Sequence, residues 1–244
     1  MRAMSDGRID PDHGDGADSG DQGRPIRVGD TVRRPARANS GFVQGVLLHL
    51  ERAGVVWSPR ALGLDEQGRE TLTWISGTAA ASGGDVDLGE LAIMVRELHD
   101  RTAGFAGDSE CVIHDDLQPR NVIVERTHPV GLIDWEQARP GRRVEDVANL
   151  CWAFVEPMPG SDPADIARQW RFIVDAYSLD RAGELVPTVL ARMAVCVDDI
   201  ERNAAAGSAR HRRLADLGHH DDIRAMHAWT MDHRRLLDEV ITSG

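Results

Sequence analysis

The chain has 244 residues, 41% of them hydrophobic, which is enough to bury one large core or two lobes. Its net charge of −12 at pH 7 argues against nucleic acid as the main ligand and suits a cationic small molecule. No apolar run reaches the roughly 18 residues of a membrane-spanning helix, and no signal segment opens the chain, so we expect a cytoplasmic protein without a membrane partner.

The first 24 residues are rich in Asp and Gly and almost free of large apolar side chains. Such a segment cannot bury enough apolar surface to offset the entropy of ordering it. We therefore predict that residues 1–24 form a disordered tail.

The segment 25–77 predicts a small N-terminal lobe. Alternating apolar residues on both sides of a Gly-Asp turn indicate a hairpin that ends at Pro35. Helical spacing in SGFVQGVLLHLERAG follows, with Ser40 as the expected N-cap and Gly54 as the expected C-cap. Two further strands, PRALGLD and ETLTWIS, complete the order strand, strand, helix, strand, strand. This order indicates an antiparallel sheet that carries one helix.

The segment 78–244 predicts a mostly helical second lobe. After a small-residue linker, GTAAASGGD, the run LGELAIMVRELHDRTAG has helical spacing. Three short strands, CVI, NVIVE and VGLI, then surround a polar loop. From Val144 onward the pattern is helical throughout. We therefore expect an α+β protein with two lobes, in which the second lobe contains one inserted hairpin.

The chemistry concentrates in the stretch CVIHDDLQPRNVIVERTHPVGLIDWE, which covers residues 111–136. Asp116, Asn121 and Asp134 fall at the ends of neighbouring strands, so their side chains are expected to converge. Oxygen ligands of this kind suit Mg²⁺, which takes one or two carboxylates and completes its shell with water and phosphates. Adjacent carboxylates at Asp115 and Asp116 require different roles, because like charges resist joint ionisation near a core.

The spacing H-x-D-x-x-x-x-N, followed by the aspartate of LIDWE, resembles the aminoglycoside phosphotransferase and choline-kinase-like family. The segments RVGDTVRRP, LHDRTAGF, PVGLIDWE and EDVANLCWAFVEP resemble bacterial members as well, and together the likeness covers roughly residues 26–240. The resemblance implies a two-lobed protein-kinase-like fold with a small antiparallel-sheet N-lobe and a mostly helical C-lobe. It also implies transfer of phosphate from ATP or GTP to a hydroxyl group, with Mg²⁺ as cofactor.

The resemblance assigns a role to each matched residue of the C-lobe. Asp116 would orient the attacking hydroxyl or accept its proton, and Asn121 and Asp134 would hold the metal. His114 would organise the loop rather than carry a proton, and Asp146 would support the same loop. Glycine or asparagine is expected at the position of Asp115, so its extra carboxylate is a departure from the family pattern; it is either simply exposed or directed toward a cationic substrate.

The N-lobe departs further from the family pattern. No G-x-G-x-x-G precedes the first strand, and Arg33 or Arg34 stands where a phosphate-binding lysine is expected. The partner glutamate is absent from the middle of the following helix, where Gln44 occurs. The segment Trp74, Ile75 and Ser76 resembles the link between the lobes, whose backbone groups would contact the nucleotide base.

Five acidic residues on the C-terminal helices, together with Asp115, favour a cationic hydroxylated acceptor over an anionic one. They are Asp198, Asp199, Glu201, Asp221 and Asp222. The alternative for each is a solvated helix face. A second hypothesis for the whole protein is a kinase-like protein that sequesters a ligand without chemistry, as in an immunity function. The sequence leaves the oligomeric state open.

Overall fold

The computed structural model describes residues 25–105 and 107–243, so the predicted tail at residues 1–24 lies outside the described part. The described residues have the predicted α+β architecture. A four-stranded antiparallel sheet with one helix is followed by a larger, mostly helical part, and we call these the N-lobe and the C-lobe.

The N-lobe contains β1 (Ile26–Val28), β2 (Thr31–Pro35), α1 (Ser40–Arg52), β3 (Ala61–Leu64) and β4 (Arg69–Thr73). Its strands lie in the order β1-β2-β4-β3, and every neighbouring pair is antiparallel. The apolar residues of α1 recur at helical spacing and are buried against the sheet. The predicted element order of this lobe is confirmed.

The ends of α1 differ from the prediction by one residue. Asn39, not Ser40, is the N-cap residue, and the Ser40 hydroxyl instead accepts a hydrogen bond from the Arg37 N–H at 2.7 Å. At the other end the C-cap is Ala53, and Gly54 follows it with a left-handed φ of +81°. Glycine adopts this conformation without a Cβ penalty, so Gly54 ends the helix as the residue after the C-cap and not as the C-cap itself.

The C-lobe contains two small sheets and, within the described ranges, seven helices. Its strands are β5 (Thr78–Ala79), β6 (Cys111–Ile113), β7 (Val122–Glu125), β8 (His128–Leu132) and β9 (Arg139–Gly141). Its helices are α2 (Leu88–Arg101), α3 (Arg143–Val155), α4 (Pro163–Tyr177), α5 (Leu185–Ala205), α6 (Ala209–Asp216), α7 (His219–Asp232) and α8 (Arg234–Thr242).

The expectation of a single inserted hairpin in this lobe was wrong. One sheet has the order β5-β7-β8 and the other pairs β6 with β9. The strand β5 lies in the predicted linker, and β9 follows the stretch that was expected to end the strands. Both are only two or three residues long, and their partners are distant in sequence, as when Cys111 pairs with Gly141. Strands this short have no periodicity to detect.

A continuous apolar core joins the two lobes. The Trp57 and Trp135 rings stack with centroids 6.4 Å apart, and the Trp57 indole N–H donates to Glu97 at 2.9 Å. Asn39 also connects the lobes, because its amide donates to the Glu136 carbonyl at 2.8 Å. Across residues 25–105 and 107–243, no helix has the length and apolar character needed to cross a bilayer.

Candidate active site

The loop between β6 and β7 is fixed by a buried carboxylate, that of Asp146. Asp146, in the first turn of α3, accepts the His114 backbone N–H at 2.7 Å and the Asp115 backbone N–H at 3.0 Å. Burial by itself would raise the pKa of Asp146, but the hydrogen bond from His99 and the neighbouring donors outweigh it and hold this pKa below its usual value. Asp146 therefore fixes two consecutive peptide groups of the loop.

His114 lies fully buried beneath the loop. Its Nε2 is 3.0 Å from the Ile133 carbonyl oxygen, and its ring packs against Trp135 with centroids 4.9 Å apart. A carbonyl oxygen only accepts, so Nε2 must carry the proton and donate it to this bond. The side chain thus joins the loop to the residue that precedes Asp134.

Asp115 is neither exposed nor free to attract a cation, so the expectation that it adds negative charge to the cleft was wrong. Its φ is +65°, and its side chain is only 15% exposed. Arg139 contacts it at 2.6 Å and Arg192, on α5, at 2.5 Å. Arg139 also pairs with Glu145 at 2.7 Å, so two arginines and two carboxylates balance one another.

Asp116 is fixed by two amide groups. The Gln118 Nε2 donates to its Oδ1, while the Asn121 Nδ2 donates to its Oδ2 at 2.9 Å and to its backbone carbonyl at 2.8 Å. Burial raises the pKa of Asp116, and the nearby charge of Asp134 raises it further, against the opposing effects of Arg120 and the other donors. The carboxylate therefore has a fixed orientation and an increased affinity for a proton.

Asn121 and Asp134 are neighbours through the main chain, and each has a side-chain oxygen. Because the Asn121 amide nitrogen is committed to Asp116, its Oδ1 must point the other way and remains an available acceptor. The Asn121 carbonyl accepts the Ile133 N–H at 2.9 Å, which places Asp134 next to it. Asp134 is left-handed, with φ 63° and ψ 57°, and its side chain is 41% exposed.

Arg34, and not Arg33, faces this group from the N-lobe. The Arg34 Nη1 lies 3.8 Å from Asp134 Oδ1, whereas Arg33 lies 3.7 Å from Asp65 on the N-lobe. Successive side chains of a strand point to opposite faces of the sheet, so only one of two neighbouring arginines can approach Asp134. Of the two candidates that the sequence left open, Arg34 is the one that lies near this group.

The partner of Arg34 is Glu70, a residue that the sequence pattern did not predict. Glu70 lies directly opposite Arg34 in the register of β2 and β4, and its Oε2 accepts the Arg34 Nε–H at 2.9 Å. Gln44 of α1, at the place of the expected glutamate, donates to Glu70 Oε1 at 3.2 Å. The available signal was a charged residue in each of two strands that pair antiparallel.

The segment from Trp74 to Ser76 links the lobes as expected. The Trp74 N–H donates to the Asp30 carbonyl at 2.8 Å, and the Arg27 guanidinium lies 4.2 Å from the centre of its ring. Ile75 packs on Gly131, where an added Cβ would come within 2.7 Å of the Ile75 side chain. Because the Trp74 N–H is already used, any backbone contact with a base falls to the remaining polar groups of this segment.

The acidic residues of α5 and α7 are all exposed. Glu201 and Asp221 share Arg224, and Asp199 lies 3.5 Å from His211. Glu201 and Asp221 share a single cation, Arg224, so these three side chains keep a net charge of −1, and their exposure agrees with the solvated-face alternative.

The family and its fold are shown by comparison with known proteins. The phosphotransferase enzyme family (APH) matches residues 79–182, which include Asp116, Asn121 and Asp134. A trifolitoxin immunity protein of Rhizobium leguminosarum bv. trifolii is 33% identical over 184 residues, or 64% of this chain and 70% of that protein.

Two solved structures share the protein-kinase-like fold. A choline/ethanolamine kinase family protein of Mesorhizobium loti matches with a TM-score of 0.62 at 15% identity, over 90% of this chain and 89% of that one. Spectinomycin phosphotransferase, in complex with ADP and spectinomycin, matches with a TM-score of 0.52 at 10% identity, over 87% and 84%. The chain belongs to the phosphotransferase enzyme family, and its two lobes have the kinase-like arrangement of that family.

Proposed function

We propose that the protein is a small-molecule kinase that transfers the γ-phosphate of ATP or GTP to a hydroxyl group, with Mg²⁺ as its metal. One observation carries the proposal. Asn121 contacts Asp116 through its side chain and the residue before Asp134 through its backbone, so a base and two metal ligands form one unit. A hydrophobic core gains nothing from these polar side chains, and burying them costs free energy unless a bound ligand compensates for that cost.

The donor set fits Mg²⁺. Asp134 contributes a partly exposed carboxylate, and Asn121 contributes the amide oxygen left free by its bonds to Asp116. Within the described ranges, no three His, Cys, Asp or Glu side chains lie close enough to hold a metal by themselves. This is expected for Mg²⁺, which takes few protein ligands and otherwise binds water and phosphate oxygens. When bound, the metal would neutralise the phosphate charge that develops during transfer.

Asp116 orients the acceptor. Its two oxygens are held by Gln118 and Asn121, yet each carboxylate oxygen can accept a second hydrogen bond. One of these positions receives the acceptor hydroxyl and its proton. His114 takes no part in proton transfer, because its Nε2–H is committed to Ile133 and its Nδ1 is buried.

The nucleotide lies between the lobes in this proposal. Arg34 contacts its phosphates from the N-lobe and, unlike a lysine, presents a planar group with several donors. Trp74, Ile75 and Ser76 contact the base. The spectinomycin phosphotransferase that shares the fold contains ADP, and this supports a nucleotide co-substrate here.

For the acceptor we propose a cationic hydroxylated compound, such as an aminoglycoside-like molecule or an amino alcohol. Support comes from the net charge of −12 and from the exposed carboxylates of α5 and α7, which favour a cation over an anion. Asp115 does not contribute, because Arg139 and Arg192 balance its charge.

The test is turnover of Mg·ATP and Mg·GTP with aminoglycosides, choline-like alcohols and amino alcohols. Asp116→Asn should lower the rate by about a thousandfold or more, because the variant cannot accept the hydroxyl proton. Asp180→Asn, at an exposed position far from the loop in sequence, is the matched control and should keep the wild-type rate. An Asp116→Asn variant as active as the control would refute the mechanism.

A second candidate function is ligand sequestration without chemistry. The replacement of the expected lysine by Arg34, with its different phosphate geometry, favours it. Calorimetry separates the two functions. If Mg·ATP and Mg·GTP produce no binding heat while an aminated ligand still raises the melting temperature, sequestration is the better description.

A further inference from the structure

We infer that Glu70 is the positioning residue for the phosphate-binding arginine, in place of a glutamate on α1. The inference rests on the proposed function, because it assigns Arg34 to the nucleotide phosphates. Glu70 itself would touch neither the nucleotide nor the acceptor. It would act by fixing the direction of the Arg34 side chain.

The Arg34 guanidinium is almost completely buried but only partly paired. Arg34 is 5% exposed and Glu70 is 1% exposed, and the Nε–H of Arg34 donates to Glu70 at 2.9 Å. The Arg34 Nη1 lies 3.8 Å from Asp134 and 3.6 Å from Glu136, beyond hydrogen-bond distance. Among the described residues, neither Nη atom has a hydrogen-bond partner. A buried cation whose Nη donors are not hydrogen-bonded can donate to phosphate oxygens.

Glu70 determines which way these donors point. The bond to Nε turns one edge of the planar guanidinium toward Glu70, so Nη1, on the opposite edge, is directed toward Asp134. Gln44 holds the other carboxylate oxygen of Glu70 at 3.2 Å, which prevents the carboxylate from rotating. The Gln44 amide cannot replace the negative charge of Glu70, but it can orient the Glu70 carboxylate.

The pair forms within one sheet, because Arg34 and Glu70 face each other across β2 and β4. Directly opposed residues of an antiparallel pair have their Cβ atoms about 4.5–5.5 Å apart, so the contact exists whenever the sheet is formed. A glutamate on α1 would make the contact only when the helix is close. The arginine is therefore kept in position permanently, and no movement of α1 is needed to place it.

The experiment measures nucleotide binding and turnover for wild type, Glu70→Gln, Glu70→Asp and the double variant Gln44→Glu/Glu70→Gln. Glu70→Gln should raise the Kd and the KM for Mg·ATP or Mg·GTP by about tenfold or more and leave the acceptor KM unchanged. The double variant returns a carboxylate to the cluster from the helix and should recover much of the lost affinity. Thermal melting of each variant verifies that it folds. If Glu70→Gln does not fold, Glu70→Asp tests the same point, with a smaller rise in nucleotide KM.

The outcomes separate this inference from the proposed function. Unchanged nucleotide Kd and KM in a folded Glu70→Gln variant overturn the inference while the kinase activity stands. Tight nucleotide binding that depends on Glu70, without transfer to any acceptor, upholds the inference and counts against the proposed function. Absence of any binding of Mg·ATP and Mg·GTP by wild type overturns both. Equal loss of nucleotide and acceptor affinity would indicate a merely structural role for Glu70 and would also overturn the inference.

Discussion

The C-lobe part and the N-lobe part of the candidate site are built in different ways. On the C-lobe side, His114, Asp116, Asn121 and Asp134 come from one short stretch and are joined by local hydrogen bonds. On the N-lobe side, Arg34, Glu70 and Gln44 come from a strand, a second strand and a helix. A loop can carry its own geometry, whereas the orientation of the Arg34 side chain in a sheet depends on the register of its neighbours.

Each side also contains a buried carboxylate, but the two have different partners. Asp146, fully buried, accepts two backbone N–H groups and a histidine N–H. Glu70, 1% exposed, accepts a guanidinium and an amide side chain. Asp146 therefore fixes main chain, and Glu70 fixes a single side chain. Mutations at the two positions should differ accordingly in their balance of stability and activity.

The largest expected effect is on the C-lobe side. Asp146→Ala would leave two buried backbone N–H groups and His99 without their acceptor, so we expect the free energy of unfolding to fall by about 3–5 kcal/mol. Denaturant unfolding measures this. Asp162→Ala is the matched control, because Asp162 accepts a backbone N–H at an exposed helix start and its loss should cost only about 1 kcal/mol.

The difference in the free energy of unfolding between wild type and Asp146→Ala should depend on pH, because the Asp146 carboxylate titrates. The pKa of Asp146 is lowered in the folded state from an ordinary value of 3.8. Its contribution to stability is therefore complete above pH 3.8 and is lost as the pH falls through the lower folded pKa. The gap between wild type and Asp146→Ala should narrow below pH 3.8. A gap of less than 1 kcal/mol at pH 7 would contradict the role given to Asp146.

The next effect concerns the metal. Asp134→Asn removes a charge from the ligand set without changing its shape, so turnover should fall by about a hundredfold at low Mg²⁺ and recover partly as Mg²⁺ is raised. The measurement is the rate as a function of Mg²⁺ concentration for both proteins. A variant with the wild-type Mg²⁺ dependence would show that Asp134 is not a ligand.

A smaller effect is expected in the pH profile of the reaction. The pKa of Asp116 is raised by burial above its ordinary 3.8, and the hydroxyl can pass its proton only to the ionised form. The rate should fall about tenfold per pH unit below this raised pKa. By linkage, the raised folded pKa adds stability at low pH that is lost as the pH rises through it. An acid limb at or below pH 3.8 would contradict the assignment of Asp116 as base.

The smallest effect is expected at Arg37, an exposed arginine that lies near the same Glu136 as Arg34. Arg37 lies 3.7 Å from Glu136, but its side chain is 54% exposed. Exposed ion pairs contribute little, so Arg37→Ala should change the free energy of unfolding by less than about 1 kcal/mol and leave the nucleotide KM unchanged. Arg34→Ala should raise that KM strongly. Similar nucleotide KM values for the two variants would remove the distinction between the buried and the exposed arginine.

The sequence by itself determined the elements that have a local pattern. The stripe Leu91, Met94, Val95 and Leu98 predicted α2, and all four side chains are buried in it. The spacing from His114 to Asp134 likewise placed the loop between strands that the structure confirms. Helical and strand periods repeat over neighbouring residues, so a single sequence contains them in full.

Only the tertiary structure decided which distant residues meet. Glu70 partners Arg34 because of the register between β2 and β4, and Arg192 neutralises Asp115 from a helix 77 residues further on. The strand β9 exists only because β6 lies beside it. Such contacts depend on how the helices and strands pack, and no short-range periodicity in the sequence indicates them. For this reason the loop between β6 and β7 could be predicted from the sequence, while the charge balance around it could not.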